Sequence, residues 1–142
     1  MPQIHPRFGE FEEIDGGVEL SCRTAWLDTP CTLSLIVDDR GVPEKLADTA
    51  SRLLDRAGSL QAALETKVTA SLYDTWRTAW REDDQSDLSA AEWWDHFRVS
   101  EIAIYPEDEF EIALSDGGLF AGHVTLVSGS LKDGPTVAQL TG

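Results

Sequence analysis

The sequence predicts an α+β fold, a largely antiparallel β-sheet with two main helices packed on one face and a short third helix. Three observations lead there. Residues 8–37 and 99–142 carry apolar side chains at a period of two, interrupted by Gly, Asp and Pro. Residues 43–97 instead repeat their apolar side chains every three to four positions. A length of 142 residues with 42% hydrophobic content suits one core and one domain, residues 1–142.

The elements follow in order. Phe8–Ile14 and Val18–Cys22 flank the turn Asp15-Gly16-Gly17 and are expected to form a hairpin. The run Cys31–Val37 alternates and then becomes fully apolar, as a strand does on entering a core, and Asp38-Asp39-Arg40-Gly41 stops it. Pro43 suits the first turn of a helix, because its missing N–H has no partner to lose there. Leu46, Ala50, Leu53 and Leu54 carry that helix to about residue 57, and Gly58 is read as its end. Ser59 is read as the N-cap of a longer helix, through Leu60, Leu64, Val68 and Leu72 to Tyr73, Trp76, Trp80 and about Arg81. Ser89-Ala90-Ala91-Glu92 has the spacing of a capping box, in which Ser and Glu each satisfy the other's free backbone N–H, and opens a short helix through Phe97. A second hairpin joins Val99–Tyr105 to Phe110–Leu114 across Pro106-Glu107-Asp108-Glu109. Val124–Val127, with His123 in the same strand, and a short edge strand after Gly134-Pro135 complete the sheet.

Charge narrows the function. With 26 acidic and 11 basic residues the formal net charge is -15, spread along the whole chain, and such a surface repels phosphate backbones and anionic lipid. Nucleic acid and membranes are therefore not expected partners; a basic protein is. No apolar run approaches the roughly 20 residues that cross a bilayer, and Met1–Pro6 lacks the apolar stretch of a signal peptide. The chain is expected in the cytoplasm, with Cys22 and Cys31 as thiols.

No motif spells out catalysis. His5, His96 and His123 are too scattered for a metal cluster. His123, with Glu101, Glu111 and Asp116 in neighbouring segments, is the one candidate for acid/base work, but no Ser or Cys nucleophile elbow accompanies it. Gly117, Gly118, Gly122 and Gly129 lead into a strand rather than a helix, without the Lys of a phosphate loop, and read as turn and bulge residues. No catalytic residue, cofactor or metal is expected.

A binding surface is the better reading. Trp93 and Trp94 are adjacent on a short helix, about 100° apart, so two readings stand: one ring partly exposed beside the acidic loop as an interface anchor, or complete burial of both. The expected partner-binding residues are Glu82, Asp83, Asp84, Asp87, Trp93, Trp94 and Asp95, joined by the hairpin tip Glu107, Asp108 and Glu109.

Family resemblance enters at the C-terminal third. Ile104-Tyr105-Pro106 at a hairpin turn, Asp116-Gly117-Gly118-Leu119-Phe120-Ala121-Gly122-His123, Val127-Ser128-Gly129-Ser130-Leu131 and the Ala138-x-Leu140-x-Gly142 ending resemble the bacterial domain-of-unknown-function family numbered 2262. The similarity covers most of the chain and is sharpest over residues 99–142. It implies a small bacterial domain and carries over no catalytic residue. Small acidic α+β proteins of this kind look like immunity proteins, so the expected function is to bind a cognate secreted toxin, basic in character, and neutralise it by occlusion. The alternatives are a small enzyme or ligand-binding domain using His123, and a non-catalytic protein-interaction module.

Overall fold

The structure, a computed structural model, describes residues 4–37, 42–84 and 86–141. The expected stop at residues 38–41 lies outside them, as do Gln85 and Gly142.

Strands β1 (Ile4–His5) and β2 (Gly9–Glu10) form a two-stranded antiparallel ribbon. It lies against the first long helix, where Arg7 binds Ser51 and Asp55. His5 is therefore held, its ring 5.1 Å from Phe8 and its Nε2 3.4 Å from Asp48, rather than lying in a free terminus. Only β3 (Glu12–Ile14) of the expected first strand pairs with β4 (Glu19–Trp26); Phe8 and Gly9 belong to the ribbon's side of the chain. β4 turns into β5 (Thr29–Ile36) at Leu27 and Asp28, both left-handed with φ of 47° and 70°, the geometry of the tightest hairpin turn.

The main sheet has the order β3-β4-β5-β6-β7-β8-β9, with β6 (Arg98–Tyr105), β7 (Glu109–Ser115), β8 (Val124–Ser130) and β9 (Gly134–Thr141). It is antiparallel throughout except for β5 and β6, which run parallel. A parallel pair needs a long crossover. All the helices supply it.

Helix α1 (Pro43–Asp55) buries Leu46, Ala47, Ala50, Leu53 and Leu54. Helix α2 (Ala57–Val68) starts three residues earlier than expected, with Arg56 rather than Ser59 at its N-cap. Gly58 does not end α1, and the Ser59 hydroxyl donates to the Arg56 carbonyl instead of capping α2. The same helix continues through two π turns, Thr69–Tyr73 and Trp76–Trp80, and the Arg81 N–H reaches back to the Trp76 carbonyl. From these turns Leu72 and Trp76 are buried in the core, and Tyr73 and Trp80 pack against it. Helix α3 (Ala90–Trp94) has the expected capping box, with Ser89 and Glu92 exchanging hydrogen bonds, and those bonds hold the Glu92 carboxyl below its usual range.

One face of the sheet is the core wall. Leu33, Leu35, Ile102, Ile104, Phe110, Ile112 and Val127 are fully or almost fully buried against Leu53, Leu64, Val68, Trp76 and Trp93. His123 precedes β8 rather than lying in it. In β8, Thr125 and Val127 face the core, while Val124 on the opposite side is exposed. The C-terminal edge strand is longer than expected, eight residues.

Candidate functional site

The helices cover a single face of the sheet and leave the opposite face open. Its residues follow from the register. Glu12 opposes Ser21, Ser21 opposes Ser34, Ser34 opposes Ala103, Ala103 opposes Glu111, Glu111 opposes Ser128, and Ser128 opposes Val137, so these side chains share one side across all seven strands. Small residues floor the centre of this row, and glutamates stand along it. The parallel rows add Glu19, Arg23 and Thr32 on β4 and β5, and Glu101, Tyr105 and Glu109 on β6 and β7.

Tyr105 is the focus. Partial burial, a hydrogen bond to Glu111 and the charges of Glu111, Glu101 and Glu19 push its phenol up to about 12. Each cause opposes a second negative charge. Glu101 accepts a hydrogen bond from the buried Ser34 hydroxyl at 3.4 Å, and Arg23 donates to Thr32 at 2.7 Å. Around Tyr105 the face thus presents Glu19, Glu101, Glu109 and Glu111, with Arg23 on the same face and Lys45 and Arg52 across the cleft that Tyr105 also lines. Chemically it can hold ammonium or guanidinium groups.

The residues expected to bind a partner divide between two ends of the molecule. Glu82, Asp83, Asp84, Asp87 and Asp95 are exposed near the start of β6, whereas Glu107, Asp108 and Glu109 lie at its far end, seven residues or roughly 23 Å along the strand. Strand β6 therefore separates the loop from the tip that was expected to join it. Asp87 is engaged by Arg77 in a two-pronged pair at 3.0 and 3.1 Å. Asp108 Oδ1 accepts from the buried Thr49 hydroxyl at 2.7 Å and from Arg52 at 3.2 Å. Glu107 and Asp108 are both left-handed, φ 68° and 61°, and these bonds hold the turn beside a cleft of about 520 Å³ lined by Lys45, Thr49 and Arg52.

The exposed tryptophan does not exist. Trp93 is fully buried and Trp94 is 7% exposed. The two rings avoid competing for one site because Phe97 lies between them, 4.7 Å from Trp93 and 5.3 Å from Trp94, while Tyr73 and Phe120 close over Trp93. The reasoning from an isolated helix failed because helix α3 is covered on two sides.

His123 stands apart from the carboxylates proposed for it. Its ring packs 5.2 Å from Trp80, and among the described residues it makes no hydrogen bond to a carboxylate. Glu101 and Glu111 point to the open face, and Asp116 is buried with Oδ1 bonded to the Gly118 N–H. Cys22 and Cys31 lie on the core face of neighbouring strands, two register steps apart. Burial pushes both thiols up, Cys22 to about 11, so neither is an activated nucleophile. No group of His, Cys, Asp and Glu among the described residues is arranged to hold a metal ion. No described helix is long and apolar enough to cross a membrane.

Sequence reasoning missed Glu19, Glu101, Tyr105 and Glu111 as a site. Their alternation was visible, but not the parallel pairing of β5 with β6 that carries Glu19 of β4 toward Tyr105.

A family model described as an uncharacterized protein conserved in bacteria (DUF2262) matches residues 5–140. No curated protein and no solved structure matches the chain.

Proposed function

The chain belongs to DUF2262, a family of bacterial proteins, and on that premise we propose that it is a non-catalytic binding protein of the immunity type, which neutralises a cognate secreted toxin by occluding it. The observation that carries this reading is the open acidic sheet face centred on Tyr105. A rigid, helix-backed sheet presents glutamates at fixed spacing, and a basic protein surface is the complement that such a pattern attracts. Nucleic acid and anionic membranes would be repelled by the same charge. The acidic loop from Glu82 to Asp87, with Asp95, forms a second acidic region at one end of the sheet and contributes to steering rather than to the contact centre.

The experiment is to test whether the neighbouring open reading frame encodes a secreted toxin, co-express the two chains, and measure binding kinetics. Protection from toxicity, with stoichiometric binding, is expected. Glu101→Lys with Glu111→Lys should slow association at least about tenfold at low salt, and the difference should shrink as salt screens it. Reversal of Glu82, Asp83, Asp84 and Asp87 to Lys should act in the same direction but more weakly. A protein that fails to protect, or whose association is indifferent to both sets of reversals, sinks the proposal. His123→Ala should leave protection intact; a folded variant that binds but no longer protects would favour the enzymatic alternative.

A further inference from the structure

We propose that the chain self-associates as a two-fold dimer by antiparallel pairing of strand β9 with the β9 of a second copy. A sheet has two edges, and this one treats them differently. β3 is three residues long and carries Glu12 and Glu13, the short, charged kind of edge that discourages strand addition. β9 is eight residues long, is paired only through β8, and contains no charged residue from Gly134 to Thr141. Thr136, Val137 and Gln139 are exposed along it.

The neighbouring helix shares this character. α2 packs on β9, and unlike α1 it does not confine its apolar residues to a buried stripe, because Ala62 is exposed and Leu60 and Ala63 are half-buried. Over residues 57–72 the charges are Glu65 and Lys67, which cancel, and residues 134–142 add none, so the whole net charge of -15 lies elsewhere. A second copy of the same acidic chain can approach this neutral flank without charge repulsion, whereas a basic partner has more to gain at the glutamates. That asymmetry selects the occupant.

The geometry closes on itself. A two-fold axis normal to the sheet keeps both helical layers on one side and opposes residues of the same parity, so Val137 meets Val137 or Gln139 of its copy. The two sheets become one of twice the width, and α2 of each copy is brought beside the other. Both β9 edges are used, and assembly stops at two.

Sedimentation of the full chain from micromolar to submillimolar concentration tests this. A monomer–dimer equilibrium is expected that tightens as salt rises, because salt screens repulsion between two acidic bodies. Val137→Glu with Gln139→Glu places like charges across the axis and should weaken the dimer at least about tenfold, while Val18→Glu, at an exposed position just before β4, should not. Hydrogen exchange on the unmodified chain supplies a readout that no variant can spoil: β9 amides should gain protection as concentration rises. A chain that stays monomeric with β9 exchange independent of concentration, or a dimer that the folded double variant leaves intact, overturns the proposal.

Discussion

Tyr105 has its ring on the open face and three carboxylates within electrostatic reach, and this makes it a reporter of that face. Its phenol is raised from 10.0 to about 12 in the folded chain. Between those values the unfolded chain has released a proton that the folded chain retains, so the unfolded state binds fewer protons and stability falls as pH rises. The contribution is fully present below pH 10 and is lost as pH climbs through the folded value. Thermal melts over that window should therefore show a steeper loss for the native chain than for Tyr105→Phe. Parallel slopes would mean that the glutamates do not surround the phenol. Cys22, raised from 9.0 to about 11, adds a loss of the same sign in an overlapping window, which is why the comparison with the Phe variant is needed.

At the scale of elements, two glycines predict opposite outcomes. In β8, Gly129 stands at the bulge opposite Pro135, where an added Cβ would lie 2.1 Å from the Gly134 carbonyl oxygen and 2.9 Å from the Phe110 ring. Neither a strand backbone nor a fully buried ring yields cheaply, so Gly129→Ala should cost about 2–3 kcal/mol or more. Gly58, in the first turn of α2, has open space around its Cβ and no left-handed φ. Gly58→Ala should stabilise by about 0.5–1 kcal/mol by reducing unfolded-chain freedom. Chemical denaturation of the two variants reads both numbers, and equal effects would contradict the packing at the β8–β9 bulge. That bulge also lets β9 continue to Thr141, so a weakened Gly129 site would loosen the edge proposed for pairing.

For the whole molecule, the dominant quantity is a net charge of -15 on 142 residues. Three ion pairs that offset it locally, Arg7–Asp55, Arg52–Asp108 and Arg77–Asp87, are all at least partly exposed and contribute little each. Self-repulsion is therefore expected to lower stability at low ionic strength, and the melting temperature should rise as salt goes from about 10 to about 150 mM, where the screening length falls below about 10 Å. Binding to a basic toxin should weaken over the same range. Opposite salt dependences for folding and for partner binding follow from one charge distribution, and a flat melting temperature would show that the acids are spaced widely enough to ignore one another.

Local pattern determined much of this protein. Period-two runs located strands β5 to β8, Pro43 placed the start of α1, and the Ser89–Glu92 spacing set the cap of α3, because each rests on contacts between residues close in the chain. The C-terminal motifs likewise identified the family. What local pattern does not contain is which strands become neighbours. The parallel joining of β5 to β6 spans more than sixty residues of crossover, and it alone brings Glu19 within electrostatic reach of Tyr105. Burial is decided at the same range: Trp94 disappears under Phe97, and Trp93 under Tyr73 and Phe120, although a lone short helix would expose one of them. Sequence period tells a side chain which way to point. Only the packed layers decide whether anything is there to cover it, and here they cover the tryptophans and leave the glutamates of the sheet in the open.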